Sequence, residues 1–247
     1  MKWYDDIPMI EHIHTDRVWV VGDLHGCLKQ FISLIAEIES RTDNPSNYVI
    51  VLTGDICDRG PQSALLLSTV MMLCAQHKNF RMVLGNHDSK LLRKLMGKDV
   101  KLSNGLDRTW ADVTANATAD DLVSIRRFFE NTPLTINVHT PKGECVIAHA
   151  AFSPEFAGHG GAWTKAMSVQ YSIFGPTDGV LENGFPNRIP WEDTYDDKRY
   201  AFYGHRMVGN LPKFTKNTCG VDTGCWETGI LTAVSYPELE VIQSKPL

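Results

Sequence analysis

An α/β (α+β) architecture, two β-sheets packed face to face as a sandwich and flanked by helices, is predicted by three observations. Apolar runs alternate with segments of helical periodicity through residue 96, the rhythm of parallel βαβ units. After Pro133 the pattern changes to strand upon strand, which implies a second sheet laid on the first. Five apolar runs also end at a Gly or other small residue followed by Asp, Asn or His. In α/β folds ligands bind at the carboxyl ends of strands, where such residues must lie.

Residues 1–16 read as an irregular lead-in with His12 and His14 exposed. Val18-Trp19-Val20-Val21 marks a strand at about 17–22. A helix at about 27–40 follows, with Leu28, Phe31, Leu34, Ile35 and Ile38 at helical spacing. Asp43 to Asn47 is a turn. Val49-Ile50-Val51-Leu52 is a buried strand running into Gly54, and a helix starts near Pro61, a residue suited to the first helical turn. Leu65 to Cys74 is apolar on nearly every side, so this helix should be well buried. Phe80 to Leu84 is the next strand. A helix at about 88–96 carries Leu91, Leu92, Leu95 and Met96 on one face. Its Lys90, Arg93 and Lys94, with Lys98 and Lys101, read as a solvated basic face.

Residues 97–132 break the alternation and are expected to form a helical insertion that overhangs the site as a partial lid. Strands are predicted at about 134–139, 144–149, 200–204, 217–222, 229–235 and 239–243. Between them, residues 152–199 are rich in Gly, Pro and aromatic residues and read as a long functional loop. A single domain over residues 1–247 accommodates all of this.

Composition narrows the function. The 247 residues are 43% hydrophobic, an ordinary value for a protein with a sizeable core. No apolar run reaches the roughly 18 residues of a membrane span, and the N-terminus lacks the regions of a signal peptide, so a cytoplasmic location is expected. The net charge of −5 provides no global basic field for duplex DNA, although a small anion or a nucleic-acid end can still be held by local charge. The six cysteines show no C-x-x-C spacing, and Cys27 and Cys57 fall inside charged motifs where a disulfide would distort them; free thiols are expected. Oligomeric state is not encoded in any pattern found.

The charged strand ends are Gly22-Asp23-Leu24-His25-Gly26, Gly54-Asp55-Ile56-Cys57-Asp58-Arg59-Gly60, Gly85-Asn86-His87-Asp88, His149-Ala150 and Gly204-His205. Carboxylate, amide and imidazole suit divalent transition metals. Asp23, His25 and Asp55 can ligate one cation and Asn86, His149 and His205 another, with Asp55 as the shared ligand. A carboxylate serving both places the ions about 3.5–4 Å apart, the spacing of two-metal hydrolytic sites that generate hydroxide for in-line attack on phosphorus. His87, oriented by Asp58, is then free to act as general acid toward a departing alkoxide. Arg59 suits bidentate phosphate contact. Asp222 ends a further strand and is a candidate for orienting a ligand histidine. His77, His139 and His159 are not expected to be ligands of this site.

These motifs, in this order, resemble the phosphoprotein phosphatase branch of the calcineurin-like metallophosphoesterases, whose patterns read GDxHG, GDxxDRG, GNH(E/D), HA and GH. The resemblance spans roughly residues 18–235. It implies a β-sandwich flanked by helices, a binuclear centre often filled with Mn (Ni, Fe and Zn being alternatives), and phosphoester hydrolysis. It also implies the same roles for Asp55, His87 and Asp58. Asp88 stands where glutamate is more usual and Ala151 where glycine is, and neither change removes a ligand.

Longer stretches are similar to the phosphatase domain of bacterial polynucleotide kinase-phosphatases: Gly85 to Leu91, Asn104 to Leu106, Phe185 to Trp191 and Asp222 to Gly224. That group implies RNA 2′,3′-cyclic phosphate or 2′-phosphate ends as substrate, and Arg188 as another phosphate contact beside Arg59 and Asn86. Pro176 replaces that group's more usual aspartate, which weakens the transfer of substrate. No Gly-x-x-x-x-Gly-Lys-Ser/Thr loop is present, so the chain carries no kinase module. RNA ends or phosphoserine and phosphothreonine proteins are the substrates expected first, with dinucleoside tetraphosphates as the alternative and a non-catalytic protein-binding scaffold as a more distant one.

Overall fold

A computed structural model describes residues 2–42, 47–157 and 163–244. The turn expected from Asp43 falls largely outside them, as does His159.

The five-stranded sheet is built first. β2 (Arg17–Val21), β3 (Tyr48–Leu52) and β4 (Phe80–Met82) run parallel, linked by α1 (Leu28–Ser40) and α2 (Ser63–Gln76). β12 (Thr232–Tyr236) joins β2 antiparallel and β13 (Val241–Gln243) joins β12, giving the order β13-β12-β2-β3-β4. The strands read as unbroken apolar runs because both faces are covered. Val18, Val20, Val49, Val51 and Val234 point into the sandwich. The alternate residues Trp19, Val21, Ile50 and Leu52 point toward Phe31, Leu34, Ile38 and Leu66 of α1 and α2.

The other sheet has the order β1-β5-β6-β9-β11-β10. β5 (Thr135–Thr140) and β6 (Gly143–Ala148) form a hairpin, and β9 (Tyr200–Tyr203) and β11 (Thr218–Gly220) follow in parallel with β6. β10 (Lys213–Phe214) closes one edge antiparallel to β11. Ile136, Val138, Cys145, Ile147, Phe202 and Cys219 complete the inter-sheet core. Among the described residues no helix is long and apolar enough to cross a membrane, and all six cysteines are free.

Three expectations are corrected. The lead-in contains a strand, β1 (Ile10–His14), which forms the other edge by pairing parallel with β5. Its alternation of Ile10 and Ile13 with histidines is too short and polar to read as a strand alone. Residues 152–199 are not one loop. They hold α6 (Lys165–Phe174) and a two-stranded ribbon of β7 (Thr177–Val180) and β8 (Pro186–Arg188), whose ribbon strands are largely exposed and so lack an apolar signal. The helix expected from 88 starts earlier: α3 spans Asn86–Leu95, so Asn86 and His87 lie in its first turn. Residues 97–132 carry α4 (Leu106–Asn116) and α5 (Ala119–Glu130), which pack against α2 and α3. Lys90 of the basic face is tied down, its Nζ donating to the Ser103 carbonyl at 2.8 Å.

Leu34 is fully buried in α1 whereas Ile32, two residues earlier, is 56% exposed. Leu34→Ala is therefore expected to lower unfolding free energy by about 2–5 kcal/mol and Ile32→Ala by less than about 0.5 kcal/mol, read from urea denaturation.

Candidate metal centre

Every motif residue lies just past the carboxyl end of a strand: Asp23 and His25 after β2, Asp55, Asp58 and Arg59 after β3, Asn86 and His87 after β4 in the first turn of α3, His149 after β6 and His205 after β9. Among the described non-glycine residues, the left-handed backbone region is occupied by His25, Asp55, Asp58, Arg59 and His205 at φ 39°, 48°, 71°, 63° and 66°. Asn104 and Leu239 share that conformation. Strain concentrated on charged motif residues points to a functional site. Two motif glycines are needed for close approach. A Cβ on Gly85 would strike the Asp55 carboxylate, and one on Gly204 would strike that of Asp23.

Two potential ligand groups share Asp55: His25, Asp55 and His87, and Asp55, His149 and His205, with the ligand atoms of each group within 4.8 Å of one another. His25 Nδ1 lies 2.8 Å from the Cys57 carbonyl, and His149 Nδ1 lies 2.7 Å from that of Thr53. Each Nδ1–H therefore donates to backbone, which leaves the Nε2 lone pair facing inward. His25 Nε2 lies 3.6 Å and His149 Nε2 3.5 Å from Asp55 Oδ2. His149 Nε2 is also 3.0 Å from Asn86 Oδ1 and 3.1 Å from His205 Nδ1. His205 Nε2 is buried without a partner. With its amide nitrogen turned inward Asn86 donates to His149 Nε2, His205 Nδ1 and Asp55 Oδ2; with its oxygen inward it joins imidazole and carboxylate in a donor set that fits divalent metal ions.

The charge balance points the same way. Asp23, Asp55, Asp58, Asp88 and Asp222 are all at most 4% exposed, and buried carboxylates are costly without matching positive charge. Burial, then Asp222 and Asp55, push the Asp23 carboxyl well above its usual range. Burial and Asp55 push Asp88 up to about 7. Asp55 is held low against its burial by His149, His87, His25 and His205. Burial depresses His25 to about 3 and lowers His149 and His205. His87 moves the other way: burial opposes its charge, but Asp55 and the Asp58 hydrogen bond outweigh that and raise it. Its Nδ1 is 2.6 Å from Asp58 Oδ2, the pairing expected from the motifs.

Asp23 lies at the margin. Thr53 Oγ1 donates to its Oδ1 at 2.7 Å and the His205 N–H to its Oδ2 at 2.9 Å. His87 stands beside His25 and Asp55 as well, the ligand atoms of the three lying within 4.8 Å of one another. Asp222 Oδ1 accepts the Gly224 N–H at 2.9 Å, while backbone carbonyls orient His25 and His149. Arg59 Nη2 lies 3.4 Å from His87 Nε2. Arg188 donates to the Phe174 carbonyl at 2.6 Å and lines a narrow cavity with His205 and Arg206. His77 and His139 belong to neither ligand group.

Several contributors escaped sequence reasoning. Asp88 accepts the backbone N–H groups of Asp55 at 2.8 Å, Ile56 at 3.0 Å and Gly85 at 3.1 Å, pinning the Asp55 loop to the start of α3. Thr109 of α4 accepts the Asp58 N–H at 3.2 Å. The Arg59 guanidinium lies over the Trp226 ring at 5.0 Å. Asp88 stood in a recognised motif and had a usable signal, whereas Thr109 and Trp226 had none.

A family model described as calcineurin-like phosphoesterase matches residues 16–213. Bis(5′-nucleosyl)-tetraphosphatase PrpE (asymmetrical) of Anoxybacillus flavithermus is 32% identical over 232 residues, covering 90% of this chain and 91% of that protein. The crystal structure of a candidate diadenosine tetraphosphatase superimposes with a TM-score of 0.65 at 20% identity, covering 96% of this chain and 97% of the other. A Saccharomyces cerevisiae protein serine/threonine phosphatase superimposes with a TM-score of 0.63 at 15% identity, covering 99% and 86%.

Asp88→Asn removes the carboxylate that receives the three N–H groups. It is expected to weaken divalent-metal affinity about 10–100-fold, measured by titrating Mn²⁺ into metal-stripped protein.

Proposed function

The chain belongs to the calcineurin-like phosphoesterase family, and from that premise we propose that it hydrolyses bis(5′-nucleosyl) tetraphosphates. It is a phosphoester hydrolase of a family that uses divalent metals, and phosphorylated compounds are its substrates. The observation that carries the substrate is the similarity to a tetraphosphatase along nine-tenths of both chains. This reverses the order expected from the sequence, in which RNA ends and phosphoproteins came ahead of dinucleoside tetraphosphates.

In this reading Asp23, His25 and Asp55 hold one cation and Asn86, His149 and His205 another, with Asp55 common to both. Manganese is the first candidate and nickel, iron and zinc the others. When bound, such ions lower the pKa of water toward neutrality and offset charge on the phosphoryl oxygens.

The protein's own groups then divide the remaining work. Arg59, permanently charged and held on its Trp226 platform, grips the phosphoryl oxygens. Arg188, whose charge reaches His149 and His205, takes a phosphate oxygen from the other side, and the Asn86 amide completes the cradle. His87, kept upright and proton-rich by Asp58, donates its Nε2 proton to the departing oxygen. Trp226 remains 39% exposed beside Arg59, leaving apolar ring surface for a nucleobase.

The deciding experiment compares diadenosine tetraphosphate, a phosphopeptide and an RNA 2′,3′-cyclic phosphate end at equal concentration with Mn²⁺. The tetraphosphate should lead by at least about a hundredfold in kcat/KM, which is about 2.7 kcal/mol of transition-state preference. A nucleoside mono- and triphosphate would mark asymmetric cleavage, and a lead for either rival would overturn the proposal. Asp55→Asn should abolish turnover while unfolding stays cooperative, and retained turnover would refute the shared-ligand role. His87→Asn should slow alkyl phosphoesters by about 10²–10⁴-fold and nitrophenyl esters much less, because nitrophenolate leaves without a proton. Equal losses on both would remove His87 from the acid role.

A further inference from the structure

Away from the centre already described, three imidazoles gather on one face of the six-stranded sheet. His12 and His14 are two residues apart on the edge strand β1, so they share a face. The parallel register sets His14 beside His139 of β5 and His12 beside Asn137. The His139 ring stacks on both neighbours, at 5.4 Å and 14° to His12 and at 4.7 Å and 18° to His14. His12 Nδ1 lies 3.0 Å from His139 Nε2.

The other nitrogen of His139 is the informative one. Its Nδ1 is 3.1 Å from Glu144 Oε1 on the neighbouring strand β6. Donation of Nδ1–H to that carboxylate fixes the tautomer and turns the Nε2 lone pair toward His12. A carboxylate behind an imidazole is the arrangement that raises the basicity of metal-ligating histidines. Tetrahedral Zn–N bonds of about 2.0–2.1 Å place two nitrogens roughly 3.3–3.4 Å apart, a few tenths of an ångström beyond the observed separation. Asn137, on the same face and only 6% exposed, carries a side-chain oxygen without a hydrogen-bond partner.

This cluster lies at the far end of the sheet from the phosphoesterase centre. Ala148, which leads into His149, pairs with Thr135 at the start of β5, whereas His139 pairs with Glu144 near its end.

We propose that His12 Nδ1 and His139 Nε2 form a separate binding site for a borderline transition-metal cation such as Zn²⁺, with Glu144 orienting His139 and solvent completing the coordination. Binding displaces to solvent the proton that the two facing nitrogens otherwise share. The ion ties the edge strand β1 to β5 and leaves the phosphoesterase machinery untouched.

Equilibrium dialysis of metal-stripped protein against Zn²⁺ tests the site. The His12→Ala/His139→Ala variant should bind one equivalent fewer than the native protein, with unchanged Mn²⁺-supported turnover of a nitrophenyl phosphoester. Glu144→Gln should retain that equivalent but weaken it about 10–100-fold. A crystal soaked in Zn²⁺ should show an anomalous peak between His12 Nδ1 and His139 Nε2. Equal stoichiometry in the native and double-variant proteins, or zinc in the Asp55 cluster with no peak at His12, would overturn the proposal.

Discussion

Buried negative charge without enough protein cation to match it is the constraint on which this molecule is organised. Asp23, Asp55, Asp58, Asp88 and Asp222 are all withdrawn from water. The nearby imidazoles of His25, His149 and His205 are driven toward their neutral forms by burial, so they supply lone pairs in place of positive charge. A carboxylate ringed by neutral nitrogens is unfavourable in itself and becomes favourable around divalent ions. The fold tolerates the arrangement because the sandwich core lies beneath it, with Val20, Val51, Ile147, Phe202 and Val221 filling the space between the sheets.

Neighbours rather than residue type separate His87 from the other buried imidazoles of the centre. His25 and His149 each give a proton to a main-chain carbonyl, a neutral acceptor. His87 gives its proton to the carboxylate of Asp58, and its behaviour inverts. Asp58 is itself placed through its backbone by Thr109. The helices after residue 97 thus reach the chemistry through the position of one loop, by way of the Thr109 hydroxyl and the close approach of Gly105 to the Asp58–Arg59 backbone.

Much of this was legible in the chain. The apolar runs of β2, β3, β4, β6 and β9 showed which loops converge, since their terminal Asp, Asn and His residues are otherwise hard to justify at buried strand ends. Three kinds of information were not legible. Main-chain partners such as the Thr53 and Cys57 carbonyls leave no mark in residue identity. Elements stabilised by pairing rather than burial, such as β1 and the β7–β8 ribbon, carry polar residues and lack the expected alternation. Tertiary contacts such as Arg59 on Trp226 join residues far apart in sequence, with no periodicity to connect them. Asp222 was hard to read for a related reason: a strand-end aspartate looks the same whether it steadies a histidine or closes its own turn, as its bond to the Gly224 N–H does here.

The hydrogen bonds of Asp23 and Thr53 have a consequence for the mechanics of the whole molecule. Asp23 leaves one sheet and accepts the amide of His205 from the other, and the Thr53 carbonyl meets His149 across the same gap. The mouth of the sandwich is therefore stitched at the spot where the ions would sit. Sliding one sheet by a fraction of an ångström would pull His149 and His205 away from Asp55, His25 and Asn86. The layered core accordingly behaves as a vice with donors on both jaws, so ion retention would report on how firmly the jaws are closed.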